Sequence, residues 1–182
     1  MRTYAVDTRT RVTDFVAGLV LRGHHGELVA YSQWHCEGSA PHVILPEWSV
    51  AAELPDAEPV DARTYAVDFT APGTSSTLST EQTPRAHFGV FSMEVQEQEH
   101  LLELARRHAP DSIGTTGLTS INFHRSLDGA QVVNLGTWTD FDGFSQLLSR
   151  SGFRDDDVYW EGVAEFRPHY FDVVAIVRSE PC

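Results

Sequence analysis

An internal repeat constrains the possible fold more than any other feature of the sequence. Each copy contains, in the same order, an arginine, a glycine turn, a tryptophan ending an alternating segment and a tyrosine in a later strand. The arginine and the glycine are 4 residues apart in both copies, and the tryptophan and the tyrosine are 31 and 32 residues apart. The spacing from the glycine to the tryptophan differs by one residue between the copies. Such a shift turns a strand side chain to the opposite face of the sheet unless a β-bulge accommodates the extra residue. The equivalence of the two tryptophans therefore stays open. The residues are Arg22, Gly26, Trp34 and Tyr65 in the first copy and Arg125, Gly129, Trp138 and Tyr170 in the second.

The second copy has the pattern of a complete β-α-β-β-α-β module. Alternating segments predict strands, an amphipathic segment that stops at Pro110 predicts a helix, and Asp128-Gly129 predicts a hairpin turn. Asp140 is the expected N-cap of a second helix, which carries Phe144 on its apolar face and ends near Gly152. The predicted strands are 87–95, 117–125, 130–138 and 165–177, and the predicted first helix is 97–109.

The first copy is shorter than the second. Only 21 residues precede its arginine, whereas 38 separate the start of the first strand of the second copy from the matching arginine. A strand and a helix of ordinary length do not both fit in the shorter stretch. We therefore predict a degenerate N-terminal module at 1–70 that lacks its first helix, a Ser/Thr/Gly/Pro-rich linker at 71–85 and a complete module at 86–182. The expected fold class is α+β, with two ferredoxin-like modules whose antiparallel, four-stranded sheets pack face to face or curl into a barrel.

The composition limits the partners that the chain can have. The sequence has 26 acidic and 13 basic residues, a formal net charge of −13, so its surface repels nucleic-acid backbones and anionic membranes. No apolar run approaches the roughly 18 residues of a membrane-spanning helix, and the first residues lack the pattern of a signal peptide. Two cysteines are too few for a disulfide framework, which indicates the cytoplasm as the location.

Several common catalytic motifs are missing. The sequence has no GxGxxG after a strand, no P-loop, no GxSxG and no HExxH. These motifs are the main sequence evidence for dinucleotide binding, nucleotide-phosphate binding, α/β-hydrolases and zincin proteases, so none of these four functions is supported. Four histidines within 19 residues, with Cys36 among them, resemble a zinc or copper ligand set. Two of them lie in a predicted turn, about 30 Å along a strand from the third, so we predict no metal site. The histidines are His24, His25, His35 and His42.

A slot for a planar ligand is predicted on the strand at 130–138. Asn134 and Trp138 are four residues apart, so their side chains share one face, and Gly136 between them leaves a gap. An amide, a gap and an indole offer hydrogen-bond donors at both ends of a flat apolar wall. The alternative is that Trp138 is a core residue and that Asn134 bonds only to the backbone. The residues expected to complete the slot are His124 on the neighbouring strand and His169 or Tyr170 on the last strand.

The segment GLTSINFHRSLDGAQVVNLGTWTDFDGF, followed by an aromatic last strand, resembles the antibiotic biosynthesis monooxygenase family of dimeric α+β-barrel proteins. The family pattern is a strand with Arg or Ser before a DG-type turn, a strand ending in Trp, and a helix that opens with an acidic residue and an aromatic one. The resemblance covers 86–182 well and 12–70 weakly, and it implies a tandem fusion of two family modules. It also implies cofactor-free oxidation of a polycyclic aromatic polyketide by O₂ in antibiotic biosynthesis.

The resemblance further implies roles for individual residues. In family members that oxidise anthrones to quinones, an Asn and a Trp at this spacing serve the reaction, so Asn134 and Trp138 are the expected hydrogen-bond donors to the developing oxyanion. His124 is the expected proton acceptor. The second helix lacks the His of heme-degrading relatives, and the first strand lacks an Asn that some members carry. The residues expected to bind substrate are Trp34, Phe144, His169, Tyr170 and Arg125.

Two other functions remain open at this point. A polyketide cyclase on the same fold would use His and Arg for proton transfer and consume no O₂. A non-catalytic protein would only carry or shield an aromatic intermediate. Family members dimerise through their sheets, and the sequence does not decide between a monomer and a homodimer for the fused chain.

Overall fold

The computed structural model describes residues 15–23, 27–34, 63–71, 81, 84–154 and 156–178. Within these ranges the chain forms nine strands and two α-helices, and short 3₁₀ turns flank the first helix. The elements are β1 (Phe15–Gly23), β2 (Leu28–Trp34), β3 (Tyr65–Thr70), β4 (Arg85–Ser92), α1 (Gln98–His108), β5 (Leu118–Ser126), β6 (Gln131–Trp138), α2 (Phe144–Leu148), β7 (Phe153–Arg154), β8 (Asp157–Val158) and β9 (Glu165–Arg178).

The second half of the chain follows the predicted order of elements, except that its second helix is shorter than expected and is followed by a short pair of strands, β7 and β8, that the sequence did not predict. Helix α2 has five residues and begins at Phe144, with Gly143 at its N-cap. The predicted N-cap, Asp140, instead accepts a hydrogen bond from the backbone N–H of Asp142 at 3.0 Å, which makes a turn before the helix. Gly152 has a φ of +82°, so it provides the left-handed conformation expected where such a segment ends.

Seven of the strands form one antiparallel sheet in the order β2-β1-β9-β4-β6-β5-β3. The sequence predicted two four-stranded sheets, and β9 is the reason that they merge. Its first part, Glu165–Asp172, pairs with β4, and its second part, Phe171–Arg178, pairs with β1. This strand of 14 residues therefore joins β1 and β2 on one side to β4, β6, β5 and β3 on the other. Without it, β1 and β4 would each be an exposed edge strand.

The fold class is α+β with a curled antiparallel sheet, as predicted. Tyr31 on β2 and His124 on β5 belong to strands near opposite ends of the sheet order, and yet their side chains lie 2.9 Å apart. The sheet must therefore bend strongly to bring its two ends together. The division into modules at 1–70 and 86–182, and the missing first helix, stay predictions because much of the first 83 residues lies outside the described ranges.

The sheet has an apolar cluster on each face. On the face that α1 covers, which we call the helix face, Leu101, Leu102 and Ala105 of α1 pack against buried residues of β4, β5 and β6. On the other face, which we call the concave face, Leu19 and Leu21 of β1 pack against residues of β4, β6 and β9. These two faces separate the side chains that the sequence predicted to form one site.

Candidate active site

Three neighbouring strands place polar and aromatic side chains on the helix face. Asn134 and Trp138 of β6 line the same cavity, which confirms that they share a face, as strand alternation predicted. On β4, His87 lies opposite Gly136 of β6, and on the other side it lies opposite Tyr170 of β9. The polar side chains of the candidate active site thus come from β4 and β6, β5 adds Leu118, Ile121 and Phe123 to the lining, and β9 places Tyr170 next to His87.

Trp138 is fully buried, with 0% of its surface exposed. Its indole Nε1–H donates a hydrogen bond to Nδ1 of His87 at 2.8 Å. Phe141 and Phe144 pack on it, each with its ring centroid 5.8 Å from that of the indole. The prediction that this N–H points at a ligand is therefore wrong in this structure, because His87 already accepts it.

His87 is the residue of the site that sequence reasoning missed. A Cβ at position 136 would come within 2.2 Å of its Cε1, so the imidazole fills the gap that Gly136 leaves. A glycine inside a strand marks a place where another group approaches the backbone closely, and this was the available signal. The space that Gly136 leaves between Asn134 and Trp138 is thus filled by the imidazole of His87 and is not open to a ligand.

The environment of His87 keeps its imidazole neutral. Burial lowers its pKa from 6.5 to about 4, because the charged form of the buried ring loses its hydration. Since Nδ1 accepts the indole N–H, the neutral ring carries its proton on Nε2. His87 is therefore a hydrogen-bond donor through Nε2 at neutral pH.

Asn134 supplies a second polar group to the site. Its Oδ1 is buried and has no hydrogen-bond partner within the described part of the chain. It lies opposite Gly89 of β4, so no side chain covers the amide from that strand. An unpaired buried acceptor costs about 1–3 kcal/mol, which a ligand hydroxyl would recover by donating to it.

A narrow cavity connects these groups. Its volume is about 20 Å³, which is enough for one or two water molecules. A ligand of fused rings requires that side chains of the wall move aside. The lining residues are His87, Ala109, Ser112, Leu118, Ile121, Phe123, Asn134, Trp138, Leu147, Phe153 and Tyr159.

Phe144 and Tyr170, two of the predicted substrate-binding residues, meet beside this cavity. Their rings lie edge to face with centroids 5.3 Å apart, and Phe144 also lies 6.1 Å from the ring of His87. Both side chains are partly exposed. They form an aromatic wall between the buried Trp138–His87 pair and the surface.

His124 does not belong to this site. It lies opposite Val133 of β6, whereas Asn134 lies opposite Phe123, so His124 points to the concave face. There its Nε2 lies 2.9 Å from the hydroxyl of Tyr31, and its Nδ1 lies 3.1 Å from the carbonyl oxygen of Asn122. Burial lowers its pKa. The predicted role as proton acceptor beside Asn134 is thus wrong, because the register puts the two side chains on opposite faces.

Arg125 also lies away from the cavity, and its guanidinium is occupied. Its Nε donates to Asp68 of β3 at 2.7 Å, and its Nη2 donates to Glu99 of α1 at 2.7 Å. Arg106 of α1 pairs with the same two carboxylates. The predicted substrate contact is replaced by an ion-pair network that ties β3 and β5 to α1.

The remaining predicted residues are not brought to the site by anything that the structure describes. His169 lies opposite Phe88 on the concave side of the sheet and is exposed. Trp34 ends β2, and its side chain lies outside the described residues, so its equivalence to Trp138 stays a prediction.

Among the described residues, no group of three or more His, Cys, Asp or Glu side chains is placed to hold a metal ion. The cluster His24, His25, His35 and His42, with Cys36, lies outside the described ranges. Neither described helix is long and apolar enough to cross a membrane.

Several solved structures share the fold of this chain. A crystal structure of an anthrone oxidase-like protein matches with a TM-score of 0.67 and 14% identity, over 91% of this chain and 79% of that one. A monooxygenase candidate from Fusobacterium nucleatum matches at 0.65 and 9% identity, over 91% and 78%. A ferredoxin-fold protein from Listeria monocytogenes, related to antibiotic biosynthesis monooxygenases, matches at 0.50 and 11%, over 85% and 79%. The chain has the fold of antibiotic biosynthesis monooxygenases.

The likeness to antibiotic biosynthesis monooxygenases concerns the fold alone, because the identities are this low. No family model matches the sequence, and no curated protein matches it. The expected fold is thus confirmed, whereas membership of the family and the tandem fusion of two such modules stay predictions.

Proposed function

We propose that this chain is a cofactor-independent monooxygenase that oxidises a polycyclic aromatic substrate of the anthrone type to a quinone. One observation carries the proposal: His87, Asn134 and Trp138 converge on one cavity with aromatic walls. The fold shared with an anthrone oxidase-like protein makes anthrones the first substrate class to test. A role in aromatic polyketide and antibiotic biosynthesis in the cytoplasm is part of the same proposal.

The proposed reaction needs no group beyond the substrate and O₂. The anthrone loses a proton to water to give an enolate, which passes one electron to O₂. The resulting radical and superoxide combine to form a carbon–oxygen bond, and the peroxide anion takes a proton back from water. The hydroperoxide then loses water to leave the quinone carbonyl. One oxygen atom of O₂ thus enters the quinone and the other leaves in water, with the two hydrogens that the anthrone carbon has lost.

The protein contributes orientation and stabilisation of the enolate. In our proposal the Nε2–H of His87 donates to the developing oxyanion, and Oδ1 of Asn134 accepts a hydroxyl of the substrate. Trp138 is a positioning residue, because its N–H holds the ring of His87 in the tautomer that donates from Nε2. Phe144 and Tyr170 are the side chains that move to admit the rings.

The test is oxygen uptake with 1,8-dihydroxyanthrone, followed together with the absorbance of the quinone. The Asn134→Leu variant keeps the branched shape of the side chain but lacks the amide. It should lose about one to two powers of ten in rate, because the substrate hydroxyl no longer has a buried acceptor, a loss of about 1–3 kcal/mol. His169→Gln, an exposed change on the other face, is the matched control and should retain the rate of the unmodified protein. Equal rates in the Asn134→Leu variant and the control would overturn the assignment of Asn134.

The two alternative functions give different results in the same assay. A binding protein would take up the quinone tightly without consuming O₂. The cyclase alternative has less support, because its expected proton-transfer groups are engaged elsewhere: Arg125 pairs with Asp68 and Glu99, and His124 contacts Tyr31 on the concave face.

A further inference from the structure

The walls of the cavity contain no formally charged side chain among the residues that the structure describes. Its eleven lining residues are apolar or neutral polar side chains together with His87. His87 stays neutral because it is buried, and burial also raises the pKa of Tyr159 and so keeps its phenol protonated. The interior thus offers hydrogen bonds without a compensating cation.

Two arginines near the lining residues are already bound within the protein. Arg150 donates from Nη1 to the carbonyl oxygens of Asp111 and Ile113, which flank the lining residue Ser112. Arg154 follows the lining residue Phe153 and pairs with Asp157 at 3.4 Å. Both guanidinium groups are therefore already bound to oxygens of the protein.

We propose that the site selects an electrically neutral aromatic ligand and rejects the same ring system when it carries a carboxylate, sulfate or phosphate. This inference rests on the proposed function and deepens it by naming the charge class of the substrate. Burying an unpaired anion is costly, because its hydration is lost and no cation replaces it. The net charge of −13 acts in the same direction.

The inference concerns the substrate as it enters and not the enolate formed later. The negative charge of the enolate is delocalised over the rings and meets the N–H of His87, whereas a carboxylate at the ring edge would lie against aliphatic and aromatic walls. The reaction that supplies the substrate must accordingly deliver it without an ionised acid group, by decarboxylation or by esterification.

Calorimetric titration of the whole protein with three probes tests this selection. The probes are 1,8-dihydroxyanthraquinone, its 3-carboxylate and the methyl ester of that acid. We expect the parent and the ester to bind with comparable affinity and the carboxylate to bind on the order of 100-fold more weakly. The ester is the control for size, so a carboxylate that binds as tightly as the ester overturns the inference. If none of the three binds, the aromatic function and this inference both fall.

A pair of variants gives an independent measurement. Phe153 lines the cavity and is only partly buried, so an arginine there can lay its aliphatic stem along the apolar rim and hold its guanidinium at the mouth, within reach of a carboxylate on a bound probe. Phe153→Arg should bind the carboxylate about tenfold more tightly than Phe153→Met does. The two variants should not differ in this way for the parent probe. Equal affinity of both variants for the carboxylate would contradict the inference.

Discussion

At position 136 the absence of a side chain decides what the site contains. The imidazole of His87 occupies the space that a Cβ would need, and it accepts the N–H of Trp138. Both contacts depend on a strand residue without a Cβ. The pair Trp138–His87 therefore exists because of Gly136.

Gly136→Ala is expected to destabilise the protein by about 1–3 kcal/mol, the usual cost of overpacking a core. The new Cβ would lie 2.2 Å from Cε1 and 2.5 Å from Nδ1 of His87, so the ring must move and the bond to Trp138 breaks. Guanidinium denaturation measures the loss. The control repeats the substitution in a His87→Ala background, where the cost should largely disappear because the imidazole is gone. The same cost in both backgrounds would show that the strain has another source.

His87 should also make the protein less stable in acid. Its pKa falls from 6.5 in the unfolded chain to about 4 in the folded one, so the unfolded state binds a proton first as the pH falls. The stability linked to neutral His87 is complete above pH 6.5 and is lost as the pH drops toward 4. The loss amounts to about 3 kcal/mol.

Unfolding free energies of the unmodified protein and of His87→Leu, measured between pH 7.5 and pH 4 in steps of about half a unit, check this slope. The variant should lose the part of the slope that belongs to His87. His124, whose pKa is also lowered by burial, adds acid sensitivity in the same direction in both proteins. Parallel curves for the two proteins would contradict the assignment.

Strand β9 contains a proline and still pairs along its length with neighbouring strands. Pro168 lies opposite Gly89 of β4, in the part of the strand that pairs with β4 alone among the described residues. The pairing with β1 begins at Phe171. A proline lacks the N–H that a second neighbouring strand would use, so it is tolerated where only one side of the strand is paired.

The ion-pair network at Arg125 belongs to the attachment of β3 and not to catalysis. Asp68 of β3 has a side chain only 7% exposed and pairs with Arg125 and Arg106. Arg125→Leu should leave the rate of oxygen uptake unchanged and lower stability by about 1 kcal/mol, because the pairs are partly exposed and screened by water. Thermal unfolding at low and high salt measures this, and the difference between the proteins should shrink in high salt. A loss of rate with unchanged stability would restore Arg125 to the substrate site.

At the scale of the whole molecule, the N-terminal strands cover apolar surface of the second half. Leu19 and Leu21 of β1 belong to the same buried cluster as Phe88, Leu135 and Phe171. Tyr31 of β2 packs against that cluster as well. The concave face of β4, β6 and β9 is thus completed by residues from the first part of the chain.

A fragment of residues 86–182 should therefore not behave as a stable monomer. Without β1 and β2 it would expose the concave apolar face and the edge of β9, and such surfaces promote association. Light scattering after size-exclusion chromatography should show dimers or larger species, with the full-length chain as the reference. A fragment that is monomeric and as stable as the full chain would contradict this role for β1 and β2. A homodimer of the full-length chain stays a prediction.

The sequence determined the four long strands and the first helix of the second half and the face shared by Asn134 and Trp138, because strand alternation and turn chemistry are local properties. It also contained the signal for the face of His124: a tight turn at Asp128-Gly129 places His124 opposite Val133. Only the tertiary structure decided which groups fill the space around these residues. His87 reaches Trp138 through the pairing of β4 with β6, 51 residues apart in the chain, and β9 joins the two parts of the sheet. Such contacts depend on which strands become neighbours, and no local pattern encodes that choice.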